Sequence, residues 1–404
     1  MKKVLCTSLV LLLIVSGISV AFAAESAKTT VAATGTTTTT SSAVETTGAA
    51  VTIVPDMTFT GTPISLTLDN AYKKMLADSP GAQMAELNRQ STEGVAKGYS
   101  ETVHTLNESG MAMDSSSLYG KEQVKVNRAF ATTQGPRNYE TELNVLKTDT
   151  LKNYYTLKEL ENQVKIAIDN LVLKEKLLSN TQLKYKLGTV SKNDVLKAEV
   201  SVNEAKDQQI AALNGLNIMK MGFNQFMGYD LMQNVILPDT IKEVPLSSKS
   251  LKNSIEAALK NRNEIKEAAY YLDLAQWDIK NYKAFPKSSS KYVNAQIALL
   301  KAETSVRNAP MTVETDVRTK YMEMNQKYSA VQTGKKSVDN SKETVRLVQL
   351  QYDSGMATLS DVEEAQLGYY NSQLSYSKAL LEYNLAVNAY ELSSGVGIEK
   401  AKIQ

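Results

Sequence analysis

Tyr185-Lys186-Leu187-Gly188, then Thr189-Val190, then Ser191-Lys192-Asn193-Asp194 is the stretch that decides the fold. Glycine at 188 can adopt the left-handed conformation that ends a helix. Three residues on, the Ser191 hydroxyl can accept from the amide of residue 194 while the Asp194 carboxylate reaches back, and an acid in the first turn suits the helix dipole. Upstream, Leu143, Leu146, Thr150, Tyr154, Leu157, Leu160, Val164, Ile168 and Leu171 recur at helical spacing. Downstream, Val195, Ala198, Val202, Ala205, Gln209, Ala212, Leu216, Met219, Phe223 and Phe226 alternate steps of three and four, which is a heptad seam. The upstream helix is expected over 139–185, about 70 Å of it. Two long helices joined by so few residues fold back antiparallel.

The device recurs. Tyr352-Asp353-Ser354-Gly355 precedes Thr358-Leu359-Ser360-Asp361, 167 residues further on, with Val362, Ala365, Tyr369, Ser372, Tyr376, Ala379, Tyr383, Ala386, Tyr390 and Ser393 as its seam. Further upstream, Leu68-Asp69-Asn70-Ala71 has a counterpart 183 residues later in Leu251-Lys252-Asn253-Ser254, so the second copy is 16 residues shorter before its hairpin. The chain therefore reads as an internal duplication, with repeats over 56–238 and 239–398 and a C-terminal tail over 399–404. Only eight prolines occur, none between Pro136 and Pro238 and none after Pro310. The fold class is all-α, built of long antiparallel hairpins.

Lys2 and Lys3 followed by an uncharged run to Ala23, ending in Ala21-Phe22-Ala23, read as a secretory signal peptide over 1–23. Residues 24–55 are Thr, Ala, Ser and Gly with few large apolar side chains, a composition expected of a disordered tether. Across 404 residues, 45 basic side chains meet 43 acidic ones, so no basic field exists for nucleic acid. One histidine (His104) and one cysteine (Cys6) leave no His/Cys metal cage, no Cys–His pair and no serine triad unless built on His104. No catalytic residue, cofactor or metal site is therefore expected, and the chain does not read as an enzyme.

With a leader, an opening Leu66-Thr67-Leu68 to Ala71 helix and a twice-repeated Tyr-x-x-Gly-x-x-Ser/Thr-x-x-Asp-Val-x-x-Ala motif, the sequence resembles the TolC-type outer membrane efflux family over residues 64–398. The resemblance implies a homotrimer whose duplicated protomers form a hollow helical barrel. It implies a docked periplasmic-type adaptor and an inner-membrane transporter, and it places the protein in the outer membrane or cell envelope. Adaptor docking would fall on the turns Leu187, Gly188, Thr189, Val190 and Ser354, Gly355, Met356, Ala357. Asp361 and Glu364, one helical turn apart, would form the pore constriction, whereas the first turn carries Asp194 and Lys197. Tyr352 and Asp194 match two members of the family's gate network; the place of its basic member holds Ala357.

The remaining conspicuous side chains read as structural. His104 sits in a polar stretch and reads as a surface residue; Trp277, the tyrosine stripe 369/376/383/390 and Met219, Met221 and Met227 read as packing. The family's barrel takes four strands per protomer, from stretches that correspond here to 105–138 and 284–312. Glu122–Thr132 alternates only briefly, and 294–306 is spaced as a helix. A helical body with β-barrel strands reduced or absent is expected, which removes the evident means of outer-membrane insertion. The alternative function is a non-channel coiled-coil scaffold of the cell envelope.

Overall fold

The structure, a computed structural model, describes residues 58–108 and 115–403; the leader and tether lie outside these. Short strands β1 (Thr60–Ser65) and β2 (Gln233–Ile236) pair in parallel. Apart from a 3-10 turn at Tyr282–Ala284, the other regular elements are α-helices: α1 (Leu68–Asp78), α2 (Pro80–Glu108), α3 (Ser115–Lys186), α4 (Lys192–Met227), α5 (Leu251–Asn261), α6 (Asn263–Asn281), α7 (Ser290–Asp353) and α8 (Leu359–Ser393). No helix among the described residues is long and apolar enough to cross a membrane.

The second four helices follow the first four in order. Both opening helices have 11 residues. The second copy is shorter because α6 has 19 residues against 29 in α2, and α7 has 64 against 72 in α3. Both arms of the hairpin thus shrink together, by about 13 Å at the helical rise.

Two equivalent cores hold the hairpins. In the first, Leu157, Val164, Leu216 and Phe223 pack with Ala71 and Met75 of α1. In the second, Met324, Val331, Tyr383 and Tyr390 occupy the positions 167 residues later and close over Ala258 of α5. The tyrosine stripe is therefore packing at its buried end. Tyr390 donates to the Ser254 hydroxyl at 2.9 Å, Tyr383 to the Val244 carbonyl at 2.9 Å, and their rings meet Tyr321 and Tyr328. Polar tips that find partners let phenols sit in a core.

The seams of α4 and α8 are buried or half-buried at every expected position. That of α3 is not: Ile168 is 40 % exposed, and beyond Val164 the buried positions become Ile166, Ala167, Asn170, Lys174, Leu177 and Thr181. Here α3 serves two neighbours, since it also lies along α8, where Asn162 donates to the Ser377 hydroxyl at 2.9 Å.

α3 also begins well before residue 139 and runs through Pro136. A proline removes one helical hydrogen bond and crowds the preceding turn, but its neighbours are anchored. The Gln134 amide, 1 % exposed, donates to Asn263 Oδ1 at 2.8 Å, and Arg137 donates to the same oxygen at 3.2 Å and to the Asn261 carbonyl. α7 also runs through Pro310 as one uninterrupted helix.

The stretch Glu122–Thr132 and residues 294–306 are helical, inside α3 and α7. The two described strands lie elsewhere, beside α1 and after α4, and are far shorter than a bilayer-spanning strand of about 9–11 residues. After α8 the chain lies back on α3: Ala401 is buried and exchanges two hydrogen bonds with the Asn138 side chain, at 2.8 and 3.0 Å.

Candidate functional site

The two helical turns are built alike. Gly188 and Gly355 both have φ near +73°, and each amide caps the helix before it, Gly188 N–H donating to Tyr185 and Gly355 N–H to Tyr352. Ser191 Oγ accepts from the Asp194 amide at 3.2 Å while Asp194 Oδ2 accepts from the Ser191 amide at 3.0 Å. In the second turn, Thr358 Oγ1 accepts from the Asp361 amide at 3.2 Å and Asp361 Oδ2 accepts from the Thr358 amide at 2.7 Å. The same oxygen of each aspartate also accepts from the capping hydroxyl, at 2.7 and 2.8 Å. These bonds to Ser191 and Thr358 hold both carboxyls below the usual carboxylate range.

What the turns present outward is apolar. Met356 at 75 % and Leu187 at 70 % are the most exposed large hydrophobic side chains among the described residues. Gly188, Thr189, Ser354 and Gly355 are exposed around them, and Val190 and Ala357 are half-buried. No atom stands within 4 Å of where a Cβ would sit on either glycine, so both faces are open to a partner.

Beneath the turns the two hairpins are joined. Leu177, Ala198, Tyr352, Leu359 and Val362 form one cluster drawn from all four long helices. Thr181 Oγ1 donates to the Leu177 carbonyl at 2.9 Å, so the Tyr352 hydroxyl donates in turn to Thr181 at 3.1 Å. Burial first, then the charges of Asp194, Asp353 and Glu363, raise the Tyr352 phenol. Tyr352 and Asp194 thus share one neighbourhood. A basic side chain stands beside Tyr352: Lys184 Nζ lies 4.0 Å from the Tyr352 ring centre, donates to its carbonyl at 2.5 Å and is 3.8 Å from Asp353. Its position in the other copy is Gln351, so no repeated motif marks it.

Asp361 and Glu364 are both exposed on α8. Between them Glu363 turns inward, accepting from the Ser201 hydroxyl of α4 and facing the buried ammonium of Lys174. Burial pushes that lysine down, against the pull of Glu363 and Glu204. Elsewhere, His104 is a surface side chain 3.1 Å from Glu108.

The arrangement is one of surfaces and turns around a helical body, and known proteins share it. Residues 284–396 match the outer membrane efflux protein family. No curated protein matches the chain by sequence. By structure it is similar to the outer membrane protein VceC of Vibrio cholerae, with TM-score 0.63 and 13 % identity over 82 % of this chain and 97 % of that one. It is similar to CusC, a protein whose folding and transmembrane channel formation have been described structurally, with TM-score 0.65 and 12 % identity over 84 % and 94 %. The open state of the MtrE outer membrane channel of Neisseria gonorrhoeae gives 0.62 and 13 %, over 83 % and 91 %. The fold is that of TolC-type efflux proteins.

Proposed function

We propose that the protein is an export conduit of the cell envelope. Three copies, each made of repeats 56–238 and 239–398, enclose a helical tunnel. The turns at 187–190 and 354–357 dock on an adaptor protein, and an inner-membrane transporter delivers the cargo. The observation that carries this reading is the pair of matched turns, each placing a largely exposed Leu187 or Met356 beside an unobstructed glycine. Exposed apolar side chains of this size at the end of a long helical hairpin suit a partner tip better than water.

Asp361 and Glu364 of three copies would set six carboxylates around the narrowest part of the tunnel, favouring cations. The Thr358 hydrogen bonds that hold Asp361 ionised serve the same end. Tyr352 and Lys184 tie the two hairpins together beside the Asp194 charge, and the three would govern how far the tips part. An envelope scaffold without a tunnel is the second reading, favoured by the continuous helix through 122–132 and 294–306.

Native mass separates the two: about three chains supports the conduit, and a monomer supports the scaffold. A photo-crosslinker at Leu187 or Met356 should then capture an adaptor encoded with the protein. Labelling only from positions away from both turns would overturn the docking assignment.

A further inference from the structure

We propose that the turn joining α6 to α7 docks on the surface of an anionic lipid bilayer. Residues 279–302 contain five lysines and no acid, in a chain whose charges otherwise nearly balance. Four of them, Lys280, Lys283, Lys287 and Lys291, cluster about the turn, where all are exposed and none pairs with a described carboxylate. The nearest acid, Asp278, is partly buried and accepts from the Gln123 amide. Aromatic rings alternate with these cations. Phe285 stands 39 % exposed at the apex, edge-on to Tyr282 at 5.5 Å, with Lys291 Nζ 5.2 Å from its ring centre. Lys280 lies 4.5 Å above the ring of Trp277.

Lysines that reach headgroup phosphates beside amphipathic rings at headgroup depth are the side chains a membrane–water boundary selects. An anionic polymer would be served by the lysines alone and gives Phe285 no role. The turn lies at the opposite end of α7 from Gly355, so this contact and the docking tips do not compete. The inference goes beyond the conduit reading and does not depend on a tunnel.

Trp277 is the only tryptophan in the chain and sits in the proposed contact, so it reports on it directly. Purified full-length protein is floated with vesicles of phosphatidylcholine alone or mixed with phosphatidylglycerol, and Trp277 emission is followed with brominated lipid. The expected result is flotation with the anionic vesicles only, quenching of Trp277, and loss of binding as salt rises. Lys283→Glu with Lys287→Glu should weaken binding at least about tenfold. Phe285→Ser should weaken vesicle binding and leave binding to soluble polyphosphate unchanged. Equal flotation with neutral vesicles, unquenched Trp277 in the bound protein, or native binding by the double variant would overturn the proposal. So would a Phe285→Ser protein that binds vesicles as the native one does, which would point to a polyanion site. Trimer mass is measured separately, so failure here and failure of the conduit reading are told apart.

Discussion

Removing one hydroxyl from either capping box should be felt first in the turn it closes. Ser191→Ala and Thr358→Ala are each expected to cost about 1 kcal/mol, read by thermal melting and by faster amide exchange at residues 192–195 or 359–362. The partner carboxylates add a pH signature. Because Asp194 and Asp361 lie below their unfolded values when folded, their contribution is complete above an unfolded carboxylate value of about 3.9 and fades as pH falls toward the folded values. Glu159 behaves in the opposite sense. It is 4 % exposed, and burial raises its carboxyl despite hydrogen bonds from Gln163 at 2.7 and 2.8 Å. Its folded form holds a proton more tightly than the unfolded chain does, so stability falls as pH rises past about 4.3 toward the folded value. Glu159→Gln should therefore raise the melting temperature at pH 7, by roughly 1–3 °C, and change little at pH 4. Equal shifts at both pH values would contradict this account.

The helical turns are the elements on which the sequence was most legible, because their signals are local. A glycine that must be left-handed, a hydroxyl and an acid three residues later leave few alternatives, and both turns have the expected hydrogen bonds. Gly188→Ala and Gly355→Ala meet no neighbour yet force an L-residue to φ near +73°, so each should cost about 1 kcal/mol with no change in packing. A melting temperature unchanged in both would show that the turns relax. The long helices were less legible where tertiary contacts override local rules. Pro136 argued for a helix beginning after it, and nothing near it in sequence foretells that Gln134 and Arg137 are held by Asn261 and Asn263. Ile168 fitted the α3 seam by spacing alone, and is exposed because α3 turns its buried side toward α8 further along. Lys184 escaped notice for a related reason, since its partner Tyr352 is 168 residues away.

At the scale of the whole molecule, the period of 167 residues carried most of the architecture. It relates Leu157 to Met324 and Phe223 to Tyr390, so two cores could be expected from one offset. The shortage of strand pattern in 105–138 and 284–312 likewise matches the helix described over 105–108, 115–138 and 290–312. Assembly is the property that one chain's sequence does not display, because exposed apolar positions such as Val172, Val200 and Leu367 have neighbours only if other copies supply them. If three copies supply them, native mass should be about three chains. Asp361→Asn, which keeps an oxygen to accept from the Thr358 amide, together with Glu364→Gln should then leave that mass intact while abolishing the preference for cations in planar-bilayer conductance.

The unequal hairpins also say something about how this molecule can change. Between the copies, ten residues are missing from one arm and eight from the other, while the turn at Gly355 and the core beneath it keep their counterparts. Near-equal loss from the two arms, differing by only about 3 Å of helical rise, keeps their ends nearly level, much as paired rungs can be taken from a ladder without bending its rails. Span is thereby uncoupled from stability: each heptad added to or removed from both arms would move the far end by about 10 Å. Distance across the envelope becomes an adjustable dimension, set by rung count and independent of the machinery at either end.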